Sequence, residues 1–198
     1  MFNGNQDSLP PYFLNRRRTV KDNIWFTYKA RIKAHERLEW MDFHSQLLLV
    51  WYAILSATLG ILTIRYPDLL GNDTDILSAI LSIGLLTISL SVANRDFRGR
   101  AMLMRGNYQH LHKLHRTVKG DQLTSEELES YSNLLKDCEN HRSMDDILAR
   151  IFSANLTSRL PSRREYVIGY GFFIVKYLLT ISLYVAPIAA ALYAARCK

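Results

Sequence analysis

Apolar positions in this chain come in blocks. Residues 43–64, FHSQLLLVWYAILSATLGILTI, lie between Asp42 and Arg65 without a formal charge. Residues 76–94, ILSAILSIGLLTISLSVAN, lie in the same way between Asp75 and Arg95. A bilayer core of ~30 Å is crossed by about 20 helical residues rising ~1.5 Å each, so both runs are long enough to span. A buried helix of a soluble protein rarely excludes charge from every face over such a length, and two spans are the stronger reading. The short polar stretch between them makes the pair an antiparallel hairpin.

The flanks carry a different period. Ile24, Tyr28, Ile32, His35 and Leu38 recur at steps of three and four, which predicts a helix starting near Asp22. The spacing leaves open whether this helix lies on the membrane or runs straight into the first span. Trp40 is placed to sit among headgroups. In the first span Ala53, Ser56, Ala57 and Gly60 form a small-residue face, and Ser56-x-x-x-Gly60 permits close helix approach. In the second, Ser78, Ser82 and Ser89 share one side, with Gly84 and Thr87 nearby. Such serines either bond their own i−4 carbonyls or form a polar face toward water or another subunit. In the second case they are candidate pore-facing residues.

After Arg95 the positions Phe97, Ala101, Met104, Tyr108, Leu111, His115 and Val118 alternate steps of four and three. That heptad pattern predicts a second span continuing into a stalk, ended by Gly120 as a C-cap. Met104, Tyr108, Leu111 and His115 are a candidate oligomer seam, and packing within one chain uses the same pattern. Thr124-x-x-Glu127 predicts a capping box, and Ser143-x-x-Asp146 a second helix start. The block 95–160 is too polar to span and is expected to pack as a small helical domain. A third apolar block, Tyr166–Ala195, holds one charge, Lys176, and one proline, Pro187. We expect a third span over about 167–195, with Lys176 snorkelling to the interface. The alternative is a helix lying along the hairpin without crossing. The fold class expected is an all-α membrane protein: a transmembrane helical hairpin, a cytoplasmic helical domain and a third transmembrane helix. The domains would be a mobile basic arm over 1–20, a core over 21–160 and the apolar helix over 161–198.

Charge changes the picture by giving it a direction. The chain of 198 residues has a formal net charge of +7. Its cations cluster beside the apolar runs: Arg16, Arg17, Arg18, Lys29, Arg31, Lys33 and Arg37 before the first, and Arg95, Arg98, Arg100 and Arg105 after the second. That placement favours anionic lipid over nucleic acid as the basic surface's partner. The loop between the spans carries Arg65 against Asp68, Asp73 and Asp75. By the positive-inside rule the N-terminus and the 95–160 block are expected in the cytoplasm of a multi-pass inner-membrane protein. No cleavable signal peptide is expected, because the first apolar run starts late and is too long. Cys138 and Cys197 fall on opposite sides in this topology, so no disulfide between them is expected.

The chemical motifs are weaker than the topology. Val167-Ile168-Gly169-Tyr170-Gly171 is reminiscent of a carbonyl-lined ion filter, but it follows a basic segment and lacks the leading threonine; a flexible entry to the third helix is the better reading. His110, His112 and His115 have no carboxylate or cysteine placed to complete a metal site. Glu139, Asn140 and His141, followed by Asp145 and Asp146, are candidates for contact with a partner or ligand, against a role in capping and loop hydrogen bonds. There is no glycine-rich phosphate loop, nucleophile elbow or Cys-x-x-Cys pair, so neither catalytic residues, a cofactor nor a metal is expected.

The stretches Trp25–Arg31 and Arg37–Asp42 before the hairpin, Asn94–Ala101 after it, Tyr108-x-x-Leu111-x-x-Leu114, Tyr131-x-x-Leu134-Leu135 and Glu139-Asn140-His141 together resemble the SLATT domain. The resemblance covers roughly 20–160, is nearest to the reverse-transcriptase-associated subfamily, and leaves the third apolar block as an extension. It implies a non-enzymatic anti-phage effector that oligomerises in the membrane and forms a pore or disrupts the bilayer once a sensor signals infection. It implies as partner a protein or nucleic acid from a reverse-transcriptase system, or a nucleotidyltransferase signal. The rivals are a membrane-anchored scaffold that conducts nothing and a membrane enzyme acting through Glu139, His141 and Asp146.

Overall fold

The computed structural model describes residues 20–66, 74–120, 123–154, 156 and 158–196. The arm over 1–19, the tip of the hairpin over 67–73 and Cys197 lie outside the described residues. Among the described residues six helices follow one another: α1 Val20–Arg65, α2 Thr74–Asn94, α3 Phe97–Thr117, α4 Ser125–Lys136, α5 Ser143–Phe152 and α6 Arg163–Arg196. No strand occurs among the described residues.

The 46 residues of α1 form one rod, about 70 Å long at ~1.5 Å per residue. No proline interrupts it, and Gly60 alone among its residues lacks a side chain. The helix therefore runs straight into the first span. Its two halves are built for different surroundings. All its buried residues, from Ile24 to Leu38, lie in the polar half. In the apolar half Phe43, Val50, Ile54 and Ile61 are exposed.

The same inversion holds for the other apolar helices. In the most apolar windows of the first two spans none of the residues is buried within the chain, and in α6 only 6% is. Soluble core helices would be covered. Three long helices that turn large aliphatic side chains outward are solvated by lipid, and the chain inserts into a membrane.

The second span does not continue into the stalk. Arg95 and Asp96 separate α2 from α3, and Asp96 takes a left-handed backbone, φ 41°. Its carboxylate folds over the new helix and accepts the Gly99 N–H at 3.0 Å. Asp competes with helical backbone in this way, and it is among the few residues that tolerate the left-handed region. A side chain at position 99 would collide with that carboxylate. The expected Gly120 cap is also corrected. α3 ends at Val118, whose N–H reaches the Leu114 carbonyl and whose own carbonyl accepts the Lys21 ammonium at 2.7 Å.

Thr124 and Glu127 form the expected reciprocal box, 3.3 and 2.9 Å. α5 starts one residue earlier than expected: Arg142 is its cap residue, and the Asp145 carboxylate accepts the Arg142 N–H. A reciprocal box that the sequence reading did not anticipate, Ser162 with Glu165, opens α6.

α1 and α3 pack antiparallel. Ile24 meets Leu111 and Val118 at one end of the pair, with Leu123, Tyr131 and Leu134 of the α4 region covering them. Leu38 meets Phe97 and Ala101 at the other end, beside the apolar band. α5 lies against another side of α1 and connects it to α6. Gly169 is the close point there, since a Cβ would come within 2.5 Å of Ile151 Cδ1. The VIGYG stretch is thus regular helix in the second turn of α6, and glycine serves α5–α6 packing. It is neither a filter nor a flexible entry.

Candidate functional site

Between the two apolar ends the α1–α3 seam turns polar. Arg31 is fully buried there. Its guanidinium donates to the Asn107 side-chain oxygen, to the Leu134 carbonyl at 2.9 Å and to the Leu135 carbonyl at 3.4 Å. Asn107 also donates to the Leu134 carbonyl, at 2.7 Å. Those carbonyls belong to the last turn of α4, where helices lack internal donors and the dipole favours a cation. One arginine therefore fastens the end of α4 to α1 and α3. It forms no ion pair with a carboxylate among the described residues, and its Nε has no partner. Burial lowers its pKa from the ordinary value.

Four ion pairs brace the rest of the domain. Arg37 grips Asp145 bidentately, 3.0 and 3.1 Å, with the Asp145 carboxylate sealed from solvent. Arg100 grips Glu139 in the same manner at a more exposed position. Arg150 reaches both Asp146 and Glu165, tying α5 to α6. The Arg150 hydrogen bond, followed by the Ser162 backbone N–H, holds the Glu165 carboxyl down at about 2.

The sequence candidates sort accordingly. Glu139 is held by Arg100. His141 is half-buried with an unpartnered Nδ1, and burial lowers its pKa. Asn140 is exposed. The three form no shared constellation. Met104 and Leu111 are fully covered within the chain, against α1 and α4, while Tyr108 and His115 are part-covered. The heptad seam is therefore occupied inside one protomer. Tyr108 packs on Tyr28 and His35, and His112 stacks on Tyr28 at 4.9 Å. Burial, then the Lys21 charge, lowers the His115 pKa. No cluster of metal-ligating side chains occurs among the described residues.

Within the apolar band, Ser82 donates to the Ser78 carbonyl at 3.0 Å, and its oxygen also lies 3.3 Å from Ser56 Oγ across the hairpin. Ser89 is part-covered. Ser56 thus faces α2, but a Cβ on Gly60 would meet nothing within 4 Å, so Gly60 marks no close helix contact within the protomer. At the band's edge the Lys176 ammonium sits over the Trp40 ring, 3.8 Å from its centroid, with His44 on the same indole.

The contact between α1 and α6 was not visible in the sequence. Pro187 lies inside α6 and has no N–H, so the Leu183 carbonyl four residues earlier loses its helical donor. The Tyr52 hydroxyl donates to that carbonyl at 2.9 Å. In lipid no water replaces a missing donor, so this bond satisfies a group that α6 leaves open. Tyr52→Phe should lower stability by about 1 kcal/mol, a typical value for hydrogen bonds between membrane helices. Pro187→Ala restores the N–H, and in that background Tyr52→Phe should cost almost nothing. Equal costs in both backgrounds, measured by unfolding in mixed micelles, would refute the pairing.

The family described as SMODS and SLOG-associating 2TM effector domain family 5, SLATT_5, matches residues 14–195. The chain belongs to this family. The match takes in α6, so the third apolar helix lies inside the SLATT region rather than after it. No curated protein and no solved structure matches the chain. SLATT membership and three lipid-facing helices make the chain a membrane effector-domain protein.

Sequence reading missed Asn107; it took Arg31 and Arg37 as flanking cations only, and for Asp145 the capping alternative holds, with the Arg37 pair added. For Arg31 the signal was present: Ile24, Tyr28, Arg31, His35 and Leu38 keep strict four-three steps, with arginine at the inward position.

Proposed function

We propose that this SLATT protein is the effector of a bacterial anti-phage system: it oligomerises in the inner membrane and, when triggered, makes that membrane leaky, arresting or killing the cell. The observation that carries the reading is the division of one chain into a lipid-facing bundle and a cross-braced helical domain, within an effector family. The protomer's three apolar helices enclose no water path, so conduction requires several copies. The trigger is supplied by a partner, either reverse-transcriptase-linked or nucleotidyltransferase-linked, acting on the helical domain that projects from the bilayer. The chain carries no catalytic step in this reading.

The positive flanks favour a cytoplasmic N-terminus and helical domain. In a chain without Cys197, native Cys138 should resist an impermeant thiol reagent in intact spheroplasts, while a cysteine replacing Tyr66 should react. The reverse pattern would invert the topology.

Leakage is the decisive measurement. Ser82→Leu should insert normally yet suppress dye release from liposomes and toxicity in cells, because leucine in every copy narrows and dewets a conduit. A second reading, a membrane scaffold without conduction, is favoured by Ser82 having both hydrogen bonds inside the protomer. Full leakage from inserted Ser82→Leu would remove Ser82 from the conduit. No leakage from the triggered wild type would leave the scaffold.

A further inference from the structure

α3 carries Arg98, Arg100, Arg105, Lys113 and Arg116 and no acid. Arg100 is taken up by Glu139. The other four are exposed and form no ion pair among the described residues. They share the edge of α3 turned away from α4. Arg100, Asn107 and Leu114, which meet the α4 segment, lie about half a helical turn round. Near the membrane this edge is mixed, since Glu39 and Asp42 line a groove with Arg98 and Arg105. Farther out its charged side chains are Lys113 and Arg116, beside Gln109, His112 and Thr117, with no acid among them.

The opposite side of the domain is acidic. Glu126, Glu129 and Asp137 are exposed and form no ion pair among the described residues, and Lys136 is the one basic side chain on that face of α4. The two faces match in height as well as in sign. Leu134 meets Asn107, and Cys138 Sγ lies 3.9 Å from Met104 Sδ, so Asp137 is level with Arg105. α4 runs antiparallel to α3 from there, which brings Glu129 and Glu126 level with Lys113 and Arg116.

Height matters because the spans fix every copy at one depth. Rotation about the membrane normal preserves depth, so neighbours in a ring meet through residues at equal height. A basic edge and an acidic face on opposite sides of one protomer are the two halves of a head-to-tail contact, the kind that closes into rings. We propose that copies of this chain assemble head to tail in the membrane, the Arg105–Lys113–Arg116 edge of one meeting the Glu126–Glu129–Asp137 face of the next. The inference rests on the assembly part of the proposed function and gives it a surface.

The test uses the full chain with two tags in native-lipid nanodiscs. Reversing the basic edge (R105E, K113E and R116E) should cut co-purification with itself at least tenfold. Reversing the acidic face (E126R, E129R and D137R) should do the same. The two variants expressed together should co-purify with each other, because each mismatched surface then finds its opposite. Unchanged self-association of either variant, or two folded variants that fail to rescue each other, overturns the proposal. So does loss of polyanion binding with self-association intact, which would make the edge a nucleic-acid surface. Should the reversals misfold, oxidative cross-linking of Lys113→Cys with Glu129→Cys in one chain free of other cysteines decides. A ladder of multimers from the double variant, with none from either single variant, supports the contact; its absence refutes it. Assembly without leakage would sink the pore reading and leave this interface standing.

Discussion

Asp145→Ala is expected to cost about 3–5 kcal/mol of unfolding free energy, the range for removing one partner of a buried ion pair. The Arg37 guanidinium would stay in a site where its side chain is 11% exposed and the carboxylate's was 1%. The Arg142 N–H would lose its acceptor as well. For a chain of this size each kcal/mol shifts the melting temperature by roughly 2–4 °C, so thermal unfolding in detergent should fall by about 10 °C. The paired replacement, Arg37→Met with Asp145→Leu, should recover most of the loss, because no charge is then stranded. A single variant within 1 kcal/mol of wild type would mean that α5 is not held to α1 by this pair.

Arg31→Met should cost about 2–3 kcal/mol, on the scale of one buried and one part-buried acceptor left without donors. Asn107 Oδ1 and the Leu135 carbonyl lose their partner, while the Leu134 carbonyl keeps Asn107. The damage should be local. Amide exchange across α4 should speed up strongly, while exchange in α5 should not change. Arg31→Lys should not rescue it, because one ammonium lacks the planar fork that spans these acceptors. Unaltered exchange in α4 would show that its end is held by the Leu123, Tyr131 and Leu134 contacts alone.

The spans were legible because lipid imposes a one-dimensional rule, a long run without charge, which survives without any knowledge of packing. The outer domain obeys a rule of faces. Reading apolar character alone picked Ile32 as part of the α1 stripe, yet Arg31 is the buried residue and Ile32 is only part-covered. An arginine next to an apolar run counts as a flanking charge until the partner carbonyls are known, and those lie about a hundred residues away. The break at Asp96 escaped notice because the heptad pattern starts only at Phe97, beyond it, and carries no information about the junction. Pro187 was visible, but the hydroxyl that answers it is on another helix. Capping at Thr124 was legible because both partners lie within four residues.

The unbroken course of α1 sets how the outer domain and the bilayer communicate. A rod of about 70 Å without a hinge absorbs little twist along its length. The parallel route through α2 and α3 is broken at Arg95 and Asp96. Of the two routes from the helical domain into the hairpin, the one along α1 is therefore continuous and the one through α3 and α2 is interrupted. Tyr52, which holds the Leu183 carbonyl of α6, and Ser56, which faces Ser82 of α2, both stand on that unbroken rod, so these two polar ties of the bundle share one shaft.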